Sequence, residues 1–492
     1  MRLAAAFLLA LSLHLALSLQ AAVIQGVVLD EETGNPLART QVTLTPLPGT
    51  QAGTISIRAG ERGSFTILSV RPGWYVLKTS RRGYADTEAG QLRPGRPGMA
   101  FEITADAQPS FFQIRMRHLA ALTGSVLDDN SVGIPDWPVH IYTAKKPVRR
   151  IMEVRTDDRG NFRAGGLDPG TYLVRSGAGA LEDDSPLLAT YYKYGTAVET
   201  AEPVRLRLGE TLPDITIRTT KGRLLTLSGT FNSVPQARLI LITDTGRRQL
   251  ASTGGGFTVP FEATGIPPGP VELLAEGDVP GQECGSYAKV IADKDTGGIR
   301  IGCPLLYPPT VDWVGTKGKA ILARRVDLDG TGPIRTLRTD QPLPPGFWEL
   351  TAIAPPQFYL AAIRPQFERE PSTRSDGWFG MLLGNQARLQ IILSNRPATV
   401  SGVVTTGGKP VAGASIYLEV FNPNLPEKRA QLFSVRSDPS GAYSFTQLAP
   451  GRYRVLSSFD FDPEDPFIME KAEALTLREG DAVTRDLTLL LP

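Results

Sequence analysis

Three histidines, two cysteines and scattered carboxylates are the stock from which this 492-residue chain could build a catalytic site. His14 lies in an apolar leader, and neither His118 nor His140 has a second His or Glu at a zinc-binding spacing. His140 takes an outward position in the alternating run from Val139 to Tyr142, which places it at the surface. With so little histidine and no Gly-x-Ser-x-Gly, a serine or cysteine triad has no material to draw on. Gly315-Thr316-Lys317-Gly318-Lys319-Ala320 has the look of a phosphate loop but lacks its spacing and closing hydroxyl, and reads as a hairpin turn. Asp183 and Asp184 are adjacent, so on a strand they face opposite ways and cannot flank a bond. The sequence predicts no catalytic residue, no cofactor and no metal.

Cys284 and Cys303 are close enough in sequence to form one disulfide in an exported protein, the alternative being two unpaired thiols. Tyr191-Tyr192-Lys193-Tyr194, after the polar loop from Glu182 to Pro186, is an aromatic cluster on which a sugar ring could stack. Trp378-Phe379, after the charged loop from Glu368 to Asp376, is a second. For both, packing of an edge strand or between modules is the competing reading. The run from Lys145 to Arg150 reads as a solvated hairpin tip.

The elements that would hold these residues follow from composition and period. Lys plus Arg (52) nearly cancels Asp plus Glu (50), which gives no electrostatic reason to propose nucleic acid or an anionic membrane as partner. Gly (50) and Pro (40) fall between alternating apolar runs, the punctuation of many short strands. Arg2 precedes an apolar run from Leu3 to Leu19 that ends at Ala21 and Ala22, the layout of a signal peptide over residues 1–22. Leu19 or Gln20 stands where a small residue is preferred, so an uncleaved anchor is the alternative. No later run reaches the ~20 residues that span a bilayer.

One pattern recurs five times: an apolar residue, any residue, Pro, Gly, any residue, then usually an aromatic. Its Pro-Gly pairs are Pro72-Gly73, Pro169-Gly170, Pro268-Gly269, Pro345-Gly346 and Pro450-Gly451. Read locally, each is a type II turn with Gly at the positive-φ position. The residues two and four after Gly, such as Tyr172 and Val174, then point inward and Leu173 outward. A buried Tyr there can satisfy its hydroxyl on nearby backbone. Upstream, Asp157 to Phe162 and Asp438 to Tyr443 are acidic turns leading to an inward aromatic, with Ala59 to Phe65 a looser version. The Asp-rich alternation of a calcium loop is absent. Gly26, Gly124, Gly229 and Gly402 each sit in an opening strand, 47, 46, 40 and 49 residues before their Pro-Gly glycine.

A segment of this length with about seven strands buries a core only by folding one sheet onto another. The fold class is therefore all-β: tandem immunoglobulin-like antiparallel β-sandwich modules over 23–117, 118–221, 222–304, 305–397 and 398–492. The third and fourth are divergent, and the fourth lacks the opening glycine. The segments from Arg205 to Ile217 and from Leu475 to Leu490 would close the second and fifth. Short linkers predict a semi-rigid rod or arc.

Gly124-Ser125-Val126 with Gly133-Ile134-Pro135, and Gly402-Val403-Val404 with the run from Lys409 to Ala414, resemble the carboxypeptidase regulatory-like domain. So does the stretch from Gly26 to Leu77. The resemblance covers three modules and implies a transthyretin-like seven-stranded sandwich, akin to collagen-adhesin B-type repeats and carbohydrate-binding folds. It does not imply a peptidase, because no catalytic domain accompanies the modules. The opening strands offer no Lys for the Lys–Asn crosslink of adhesin repeats.

Three functions are compatible with these features. The first is an exported, non-enzymatic structural, adhesive or binding scaffold that is secreted, periplasmic or on the cell surface. The second is a carbohydrate-binding protein using exposed aromatics, and the third an accessory subunit of an exported enzyme or transporter. The expected partner is a glycan or another envelope or extracellular protein, not nucleic acid, with no membrane span beyond the leader.

Overall fold

The computed structural model describes residues 22–104, 109–144, 148–180, 186–193, 195–243, 246–365, 377–421, 431–462 and 468–491. The leader, Asp183, Asp184, Tyr194, residues 145–147 and the loop before Trp378 lie outside them. Among the described residues the chain is all-β, with forty-two strands and two short 3₁₀ turns.

The strands are short and alternating, and they pair into sheets that share five separate cores. The apolar clusters draw on 22–116, 120–217, 225–303, 321–393 and 398–489, and each takes residues from both of its sheets. In the first module, Ala22–Asp30 lies between Ser64–Val70, antiparallel, and Ser110–Met116, parallel. Its second sheet runs Ile55–Arg58, Gln41–Pro46, Gly73–Ser80 and Thr87–Glu88. The second module repeats the plan with Ala120–Leu127 between Asn161–Leu167 and Thr211–Arg218. The third does so with Leu225–Asn232 between Thr258–Ile266 and Thr296–Gly302. The fifth places Ala398–Thr406 between Ala442–Leu448 and the short strands Ala482–Thr484 and Leu487–Thr488. In each of these sandwiches the closing segment thus returns parallel beside the opening strand.

This return explains the opening glycines. Each faces the aromatic of the neighbouring antiparallel strand: Gly26 opposite Phe65, Gly124 opposite Phe162, Gly229 opposite Phe261, Gly402 opposite Tyr443. On its other side the closing strand presses in. A Cβ on Gly124 would overlap the Ile215 carbonyl oxygen and lie 2.6 Å from its carbon, and one on Gly229 would lie 2.7 Å from the carbonyl carbon of Ile299. The fourth module has no such glycine for a topological reason. Its opening strand Thr310–Val314 is a sheet edge, and the closing strand Arg388–Ser394 takes the centre.

The Pro-Gly corners differ from the expected type II turn. Gly73, Gly269 and Gly346 have φ of 150°, 134° and 150°, Gly170 and Gly451 have negative φ, and all five begin a strand. In four modules the left-handed residue lies four positions earlier, at Ser69, Gly166, Gly265 and Gln447, with φ between 58° and 78°. There the preceding strand bulges against the opening one. The bulge re-aims the chain, so the corner itself needs no tight turn. In the acidic turns the glycines are left-handed, with φ of 68° at Gly63, 78° at Gly160 and 79° at Gly441. The 315–319 segment joins strands of opposite sheets in the fourth module rather than closing a hairpin.

Candidate functional site

The repeated aromatics are structural. Tyr75, Tyr172 and Tyr453 donate their hydroxyls to the backbone oxygens of Arg71, Asp168 and Ala449, four residues back, at 2.8, 2.7 and 2.6 Å. In the fourth module Trp348 Nε1 donates to the Pro344 oxygen at 3.0 Å. Burial raises the Tyr453 hydroxyl pKa to about 12. The third module has Val271 at this position and no such bond. The acidic turns are equally self-contained. Asp157 Oδ1 accepts from the backbone N–H groups of Arg159 and Asn161 at 2.9 and 2.7 Å, bonds that lower its pKa. Asp438 Oδ1 accepts from Ser440 and Ala442 in the same way.

The aromatic clusters expected at the surface are packed. Tyr191 is buried, against Tyr142 and Leu173 on the outer face of the second module, and its ring carries the Arg175 guanidinium at 5.0 Å. Tyr192 is half-buried against the core. Trp378 is half-buried, with the Arg324 guanidinium 4.2 Å above its ring, and Phe379 packs on the fourth core. Tyr191 presents no open face for sugar stacking, and the other three are half-buried. Leu173 is buried too, and His140 is fully so, contrary to their outward placement. The cover over Leu173 comes from residues between Ser176 and Val204, whose Thr190 and Tyr192 bond to Ser176 and Val174 and lay Tyr191 over the sheet. Desolvation, reinforced by Arg150, Arg175 and Arg155, lowers the His140 pKa to about 3, although Glu153 lies 3.3 Å from Nε2. His118 contacts Asp30 at 2.9 Å and stacks on Tyr84. Backbone bonds, chiefly from Thr33, hold Asp30 near pKa 2. Cys284 and Cys303 form a disulfide with Cα atoms 5.3 Å apart, pinning Cys284–Ala292 to the end of the closing strand.

Buried carboxylates and several ion pairs lie between modules. Glu349 in the fourth module is almost fully buried and takes bonds from Arg324 of its own strand pair at 2.6 Å and from Arg149 of the second module at 3.0 Å. Arg149 therefore belongs to a junction rather than to the solvated tip read from the sequence. Arg247 of the third module reaches Asp329 at 2.7 Å and the buried Asp327 at 2.6 Å, bonds that raise its pKa further. Leu328, between those two carboxylates, packs on Ile240, Ile242 and Leu274. Its N–H donates to Glu272, whose burial raises its pKa. On the fifth module, Gln447 donates to the Pro355 and Phe358 oxygens of the fourth.

The terminal modules also meet. Arg96 of the first bonds Asp462 of the fifth at 2.8 Å, and Arg93 bonds Asp460 at 3.0 Å. Arg436 of the fifth pairs with Glu88 and donates to the Gly98 oxygen at 3.0 Å. The chain therefore doubles back into a closed arc. A cleft of about 510 Å³ lies along this junction, with Tyr417 and Phe461 in its floor and Lys78, Asp86 and Glu88 on its rim. Among the described residues no cluster of three or more His, Cys, Asp or Glu could hold a metal. Among the described residues no helix is long and apolar enough to cross a membrane.

The fold and its junctions define a multi-module β-sandwich protein with ion pairs between its modules. Residues 23–105 match the sequence family of the carboxypeptidase regulatory-like domain, in agreement with the resemblance read from the first module. No curated protein sequence matches the chain. Similar solved structures include the Bacillus anthracis TIE protein, 10% identical over 91% of this chain and 68% of that one, with a TM-score of 0.16. The minor pilin GBS52 of Streptococcus agalactiae is 14% identical over 41% of this chain and 97% of its own, with a TM-score of 0.24. The shaft pilin SpaA of Lactobacillus rhamnosus GG is 12% identical over 40% and 97%, with a TM-score of 0.25.

Proposed function

We propose that this chain is an exported, non-enzymatic scaffold that fixes β-sandwich modules in a set arrangement at the cell surface or in the envelope. The observation that carries the reading is the use of its charges. Arg149 with Glu349 and Arg436 with Glu88 join modules that are not consecutive, across 200 and 348 residues of sequence. Such contacts hold relative positions, whereas a string of independent binding units has no need of them. The apolar leader and the Cys284–Cys303 disulfide support export to an oxidising compartment. Expression of the full chain in parallel with one lacking residues 1–22 tests this by fractionation. The full chain is expected outside the cytoplasm with its disulfide formed, and the truncated chain inside. Retention of both in the cytoplasm, or a hydrolytic activity that copurifies with the chain to homogeneity, would overturn the reading.

A second reading, glycan binding, is favoured by the 510 Å³ cleft, whose rim of mixed-sign polar side chains suits a neutral polyhydroxylated ligand. Glycan-array binding that is lost on Lys78→Ala would support it, and silence across the array would remove it.

A further inference from the structure

We propose that the contact between the first and fifth modules is an exchangeable docking surface, so that the first module of one copy can seat the fifth module of a second copy of this chain. The inference rests on the closed arc and goes beyond it. The contact is heterologous: the patch on the first module, with Arg93, Arg96 and Glu88, differs from the patch on the fifth, with Asp460, Asp462 and Arg436. A heterologous contact can close within a chain or link one copy to the next. Its charges are complementary at each point, basic Arg93 and Arg96 against acidic Asp460 and Asp462, with acidic Glu88 against basic Arg436.

The composition of the contact permits opening. Arg93 keeps 61% of its exposure and the other paired side chains between 16% and 24%, so salt screens them more than the nearly dry Glu349 and Asp327 of the inner junctions. Among the described residues no apolar cluster spans the two modules: the fifth module's Tyr417, Leu456, Phe461 and Met469 pack among themselves, and the apolar contact across the junction is that of Gly413 with Ala100 and Leu47. The terminal modules therefore separate before the inner ones. Within one chain the closed form is favoured by its high effective concentration, and exchange between copies becomes competitive when copies are crowded.

A pair of full-length variants tests this. Arg93→Glu with Arg96→Glu makes the first module acidic, and Asp460→Arg with Asp462→Arg makes the fifth module basic. Neither variant can close on itself or on its own kind without like-charge contact. Mixed together, each first module meets a complementary fifth module. By light scattering after gel filtration in low salt, each variant alone is expected as a monomer of enlarged radius. An equimolar mixture is expected to double in mass to a one-to-one dimer that 1 M NaCl dissociates. A mixture that stays monomeric, while each variant keeps the β-sheet circular dichroism and melting temperature of the natural chain, overturns the proposal. If either variant fails to fold, Glu88→Arg and Arg436→Glu form the second pair, with the same expected and overturning results. A compact natural chain with an unassociated mixture would leave the closed arc standing and remove only the exchange.

Discussion

Replacing Gly124 by alanine tests the packing that organises the modules. The added Cβ would overlap the Ile215 carbonyl oxygen and lie 2.6 Å from its carbon and 2.9 Å from its Cα. Ordinary carbon contacts need at least about 3.4 Å, so the closing strand must retreat by most of an ångström or more. It has little freedom to do so. Thr211–Arg218 is registered on Ala120–Leu127 from Ala121 to Leu127, and Ile215 and Ile217 are buried in the core. Overpacking into rigid backbone costs about 1–3 kcal/mol, and loss of ladder bonds adds to it, so about 3 kcal/mol is expected. In a module of ~100 residues that lowers the melting temperature by roughly 12 °C or more. Gly165→Ala is the control in the same module, because a Cβ there meets nothing closer than 3.9 Å. It should change stability by less than about 0.5 kcal/mol. Calorimetry of the full chain resolves the module's transition. A Gly124→Ala melt indistinguishable from that of Gly165→Ala would refute the argument that the returning strand dictates the opening glycine.

Other consequences follow from single contacts. Tyr172→Phe and Tyr453→Phe each remove a corner hydrogen bond and should cost about 1 kcal/mol in urea titrations, whereas Val271→Phe, at the corner without that bond, removes none. Cys284→Ser opens a crosslink spanning 19 residues and should destabilise the third module by about 3 kcal/mol, with the other transitions unmoved. His140 has a folded pKa near 3, below its ordinary 6.5, so between these values the unfolded chain binds a proton that the folded chain does not. Its burial is therefore without penalty above pH 6.5, and stability falls toward pH 3 by on the order of 1 kcal/mol per pH unit. His140→Leu should flatten that slope in pH-dependent melts, and an unchanged slope would contradict it.

The sequence announces the local devices of this fold and conceals the distant ones. Corner aromatics such as Tyr172, acidic turns such as Asp157 to Phe162, and glycines such as Gly124 are fixed by neighbours within a strand or two, so they leave a repeating signature. The bulges at Ser69 and Gln447 leave none, because polar residues there adopt left-handed backbone that glycine usually marks. His140 and Leu173 look exposed by alternation and are buried, Leu173 because residues before Val204 fold Tyr191 over the outer face. Alternation reports which way a side chain points and is silent on what later covers it. Arg149 reads as one arginine of a solvated run until Glu349 is brought beside it from 200 residues away.

The closed arc is what separates this protein from a row of sandwiches, and small-angle scattering of the full chain in dilute, low-salt solution measures it directly. Inner junctions at Glu349 and Asp327 and the outer contact at Arg96 and Arg436 predict a compact particle. Its radius of gyration should lie near the roughly 23 Å of a compact chain of this length. Five modules laid end to end would give roughly 55 Å, and a value close to that would contradict the account.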